Sequence, residues 1–203
     1  MKRSFVYLLA AGLLTLSGCA QPPTVELNTA QKAIDEARTA QADKYSPEEF
    51  AAAQKALTDA TAEIGNQDKA FVLTRNYTTA KTLLNDVNTK AHAAQAAGTQ
   101  NKLKVKSEVE ALIQDTTASL EATRVALEKA PKGKDTKADL EALKADFETL
   151  SAKMDQAKAL AKSGDYLEAK ASLTQTKERA TGISTEIQHA ADKVKGKGKT
   201  KVS

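Results

Sequence analysis

The 203 residues carry 30 Lys and Arg against 26 Asp and Glu, with one Cys, two His, no Trp and 4% aromatic residues. One thiol excludes an internal disulfide framework. The cations Lys2, Arg3 and five Lys after Asp192 sit at the ends; without them acidic residues outnumber basic ones, which excludes a basic body that clasps nucleic acid. Ala, Lys, Glu, Thr, Leu and Gln dominate, most of them good helix formers, and strand-type runs of β-branched or aromatic residues are missing. The chain reads as all-α.

Residues 1–18 are built as a signal peptide: Lys2 and Arg3 lead, and Phe5 to Leu14 form a short apolar run. That run falls short of the ~20 residues needed to span a bilayer. It ends in Leu16-Ser17-Gly18-Cys19, which resembles the lipobox of bacterial lipoproteins. An ordinary signal peptide that happens to contain a Cys is the plain alternative. It would need the basic start, the apolar run, the Leu and the Gly to coincide. The resemblance implies cleavage between Gly18 and Cys19 and acylation of Cys19, which would leave the mature chain without a free thiol. Several acyl chains anchor stably where one does not. In enteric-type envelopes Asp after the Cys retains a lipoprotein in the inner membrane. Ala20 stands there instead, so the resemblance implies the inner leaflet of the outer membrane, facing the periplasm.

After a linker over residues 19–25, a first three-helix unit is predicted over 26–98. Leu27, Ala30, Ile34, Ala37 and Tyr45 mark its first stripe. Lys44-Tyr45 is the predicted turn. Ser46-Pro47-Glu48-Glu49 is a strong helix start, with Ser as cap, Pro in the first helical position and Glu49 placed for a capping box. Phe50, Ala53, Leu57, Ala60 and Ile64 follow on one face. Gly65 lies inside this helix and should weaken it by about 1 kcal/mol relative to Ala. Asn76 is the next cap, followed by Tyr77, Ala80, Leu84, Val87, Ala91 and Ala94 at spacings of three and four. Gly98 is the expected joint, with a helix running on through it, kinked, as the other possibility.

A second unit over 99–192 follows the same plan. Val109, Leu112, Leu120 and Leu127 mark its first helix, and Pro131 to Asp135 form a longer turn. Thr136-Lys137-Ala138-Asp139 is a weaker helix start, followed by Leu140, Leu143, Phe147, Leu150, Met154 and Ala157. Asp165 repeats the cap, with Glu168 placed for a capping box. Tyr166, Ala169, Leu173, Thr176, Ala180, Ile183, Ile187 and Ala190 form the last stripe. Short turns demand antiparallel neighbours. The expected architecture is two tandem antiparallel three-helix units of long, slender, coiled-coil-like helices.

The run Ala33-Ile34, Ala37-Arg38, Ala40, Tyr45-Ser46-Pro47-Glu48-Glu49, Ala56-Leu57 and Asn76-Tyr77-x-x-Ala80 resembles the bacterial domain of unknown function family 4398. The likeness covers about residues 26 to 97, and the second unit keeps only the Asp165-Tyr166 turn. It implies an Ala-rich helical domain carried by an envelope lipoprotein. It implies no activity.

Catalytic chemistry has little to stand on. His92 and His189 do not correspond between the units, and no His-Glu-x-x-His, Gly-rich phosphate loop or Gly-x-Ser-x-Gly occurs. The expectation is a protein that is not an enzyme and needs no cofactor or metal. Tyr77 and Tyr166 read better as packing residues whose hydroxyls reach water than as ligand-stacking ones. Residues 193–203 alternate Lys193, Lys195, Lys197, Lys199 and Lys201 with small residues, which predicts a disordered basic tail. Such a tail is either solubilising or an arm for an anionic envelope component such as peptidoglycan. Two functions remain open. One is a structural tether, with acyl chains in the membrane and the Lys arm on an anionic partner. The other is a helical module carrying a hydrophobic or peptide ligand in envelope assembly. Thin Ala-rich stripes favour the tether, since a carrier needs bulky apolar lining. A protein partner or a second copy of the chain completing a bundle is also left open.

Overall fold

The computed structural model describes residues 20–130 and 137–199, with side chains as far as Asp192. Six helices and no strand occur among them: α1 Thr24–Thr39, α2 Ala42–Tyr45, α3 Pro47–Lys69, α4 Thr78–Lys129, α5 Lys137–Ser163 and α6 Tyr166–Lys199. The protein is all-α. It divides into two compact units between Gly98 and Thr99.

In the first unit α1 and the start of α4 run parallel, with α3 returning between them. Lys81 pairs with Glu26 at 2.9 Å near one end. At the other end Ser46 Oγ donates to the Ala94 carbonyl at 2.9 Å. The core is Ala-rich: Ala30, Ala37, Ala53, Ala60, Ala91 and Ala94 are all fully buried. Small side chains let helices approach closely, and Ile34, Phe50, Leu84 and Val87 supply the bulk. Burial at about 25 cal/mol per Å² makes these larger groups the main source of apolar stabilisation.

Three local expectations are corrected, at the first turn, the Ser46 capping box and the linker. The first turn lies not at Lys44-Tyr45 but at Ala40-Gln41, where Gln41 takes φ 61°; Ala42–Tyr45 then form a further helical turn. Ser46 holds the N-cap position of α3, with Pro47 next as expected, but its side chain makes no cap bond. Its N–H already donates to the Ala42 carbonyl at 2.8 Å, so no capping box with Glu49 can close, and its hydroxyl ties the turn to α4 instead. Gly98 does mark the boundary between the units, and it does so inside a helix, for α4 continues through it. A Cβ there would sit 2.8 Å from Ala42 Cα, so the missing side chain serves a close backbone approach. The linker also ends earlier than residue 25, because α1 begins at Thr24.

In the second unit α4 and α6 are parallel and α5 is antiparallel to α6. Thr116 Oγ1 reaches the Leu173 carbonyl at 3.5 Å, and Thr123 Oγ1 donates to the Ala180 carbonyl at 3.0 Å. Lys170 pairs with Glu108 and Lys177 with Asp115, both at 2.7 Å. Each second pair lies seven residues beyond the first on both helices, the repeat of coiled-coil packing. Leu173, Ala180 and Ile183 are fully buried beside Thr116, Thr123 and Thr176. The α5–α6 turn uses Gly164 at φ 92°, with Asp165 N–H donating to Leu160 O at 2.9 Å and Gly164 N–H to Ala161 O at 3.2 Å. This is a Schellman motif. It occupies the Asp165 amide, so the expected capping box with Glu168 is replaced.

Candidate functional site

Gly18 and Cys19, the expected cleavage and acylation positions, lie outside the described residues, as does the expected Pro131–Asp135 turn. The described chain starts at Ala20, and only Ala20-Gln21-Pro22-Pro23 separate Cys19 from α1. At about 3.5 Å per extended residue, that tether holds the start of α1 close to residue 19.

The basic tail is corrected in part. The backbone of α6 continues as helix to Lys199, through Lys193, Lys195 and Lys197, while Lys201 lies outside the described residues. Mutual repulsion and two Gly suggested an extended arm. A helix already nucleated over many residues extends at little cost, and Lys near a helix C-terminus complements the macrodipole.

Sequence reasoning passed over the α3–α4 loop. Ala70-Phe71-Val72-Leu73 belongs to no stripe, and that was the available signal. Phe71 and Leu73 are 68% and 79% exposed. The loop is nonetheless tightly held. Thr74 donates its N–H and its hydroxyl to Phe71 O at 2.8 and 2.9 Å. Arg75 clamps Ala70 O at 3.1 Å and Asp68 O at 2.7 Å. Gln67 Oε1 accepts the Asn76 amide, and Asn76 Oδ1 accepts the Thr78 amide at 2.9 Å, capping α4 as expected. Tyr77 is buried, and its hydroxyl donates to Asp68 Oδ1 at 2.6 Å rather than reaching water. That bond to a carboxylate, together with burial, raises the Tyr77 pKa above its ordinary value.

His92 and His189 are both exposed. Among the described residues no group of three or more His, Cys, Asp or Glu is placed to hold a metal ion, and no helix is long and apolar enough to cross a membrane. A shallow open groove of about 230 Å³ lies between α4 and α5, lined by Leu120, Phe147 and Met154 together with Glu121, Asp155 and Lys158. It is smaller than the usual small-molecule cavity of roughly 300–1,000 Å³.

No family model matches the chain, and no curated protein or solved structure matches it.

Proposed function

We propose that this is a lipid-anchored helical-bundle lipoprotein of the cell envelope with a tethering role. Its acyl chains lie in the inner leaflet of the outer membrane, and its Lys-rich C-terminus contacts an anionic partner, peptidoglycan first among them. The observation that carries the reading is Leu16-Ser17-Gly18-Cys19 at the end of a basic-then-apolar leader, four residues ahead of the first helix. The resemblance to family 4398 belongs to the same reading. The groove between α4 and α5 is small and open, and would enclose a carried ligand poorly. Each Lys near an anionic surface contributes about 1 kcal/mol at most, and salt weakens it, so the contact acts through number.

Two measurements test the parts separately. Labelled palmitate should enter the wild-type chain and not Cys19→Ala; equal labelling, or none, defeats the anchor. The mature chain should pellet with purified sacculi in a salt-sensitive way, and a chain ending at Asp192 should not. If neither form pellets, the tether to the wall is wrong.

A further inference from the structure

Water-exposed large apolar side chains are unevenly placed in the first unit. Val25, Phe71, Val72 and Leu73 are all exposed, and all belong to one end. The Glu26–Lys81 ion pair joins the first turn of α1 to the first turn of α4, which puts the loop before α4 beside the start of α1. The opposite end is different in kind. There Ala42 and Tyr45 are buried, and Thr39, Asp43 and Lys44 are what faces water.

The apolar end is also the end that Cys19 enters, through four residues. We propose that the α3–α4 loop is a membrane wedge, with Phe71, Val72 and Leu73 seated in the headgroup–acyl boundary of the bilayer that holds the N-terminus. The inference rests on the anchoring reading above and adds a second contact to it. Exposed Lys69 lies beside the triplet and suits lipid phosphates, while Arg75 on its other side holds the loop backbone and leaves a second positive charge next to the Asp68 carboxylate that the Tyr77 hydroxyl engages. The hydrogen bonds of Thr74 and Arg75 fix the loop backbone, so the triplet is presented outward without an ordering cost on insertion. Apolar side chains beside cations, lying in the interface rather than spanning it, are the pattern of a peripheral membrane contact. Acyl chains and wedge together would set the bundle end-on to the membrane at two points instead of one.

The chain has no Trp, so a single substitution provides a clean probe. Phe71→Trp and, as the control at the far end of the unit, Lys44→Trp are prepared in the full mature chain. Each is reconstituted in vesicles of phosphatidylethanolamine and phosphatidylglycerol with brominated acyl chains. Mass spectrometry of the same samples reports acylation at Cys19 independently. The expected result is a blue-shifted emission for the probe at 71, quenched at least about twofold more than the probe at 44. Acylated protein with both probes water-exposed and equally quenched overturns the wedge and leaves the anchor standing. An unacylated chain defeats the anchor, and quenching at 71 on added vesicles still decides the wedge: present, it supports it; absent, it overturns it. Phe71→Ser with Leu73→Ser should lower vesicle binding of unacylated chain about tenfold.

Discussion

Glycines separate two uses of the same residue. Gly65 lies in α3 with nothing within 4 Å of an added Cβ, so Gly65→Ala should raise stability by about 1 kcal/mol. Gly98 lies in α4 against the Ala42 backbone, so Gly98→Ala should cost about 1–3 kcal/mol despite the gain in helix propensity. Urea titration of both variants should show midpoints moving in opposite directions. From the sequence both positions are simply Gly within a helical pattern; only the partner across the turn tells them apart. Tyr77 is a further case. Its pKa is raised from the ordinary 10.0, so the folded state holds the proton more tightly than the unfolded chain. The stability this confers is complete below pH 10 and is lost as pH rises through the higher folded value. Tyr77→Phe should remove that alkaline component from a denaturation profile measured against pH.

At the scale of elements, the stripes were legible and their gaps were not. Leu112, Leu120 and Leu127 on α4 leave two positions that Thr116 and Thr123 fill at the same three-and-four spacing, both fully buried. Neither belongs to the stripe read from the sequence, although Thr176 on α6 does. Thr is tolerated because its hydroxyl finds carbonyls on its own helix and on α6; Thr123 Oγ1 lies 2.8 Å from Ser119 O and 3.0 Å from Ala180 O. Those carbonyls already serve helical bonds, so Thr123→Val strands no donor and should change stability by less than about 1 kcal/mol. Leu173→Ala removes bulk one heptad earlier, beside Thr116, and should cost about 2–5 kcal/mol. Calorimetry of the two variants should separate polar register from apolar packing. The helix starts show the same limit. Ser46 and Asp165 are good caps by residue type, yet the turn before each uses the backbone amide that a capping box would need.

At the scale of the molecule, ion pairs join helices that are distant in sequence. Lys81 lowers the Glu26 pKa and Lys170 lowers that of Glu108 through direct hydrogen bonds. Each pair therefore adds stability that is present above pH 4.5, the ordinary carboxylate value, and lost as pH falls through the lower folded value. Glu26→Gln with Glu108→Gln should flatten the acid limb of the stability curve between those values. High salt should reduce the difference from wild type, because both pairs are solvent-exposed.

Composition and three-and-four periodicity by themselves determined the all-α class, the apolar faces and the Asn76 cap, because propensity and amphipathic spacing are local properties of the chain. Tertiary structure decided the rest: where the first turn falls, that α4 is unbroken at Gly98, that α6 reaches Lys199, and that Phe71-Val72-Leu73 point outward. Those outcomes depend on which backbone atoms meet across helices. The seven-residue registry of Thr116 and Thr123 with α6 and the Ala42–Gly98 approach exist only once separate stretches of chain are packed side by side.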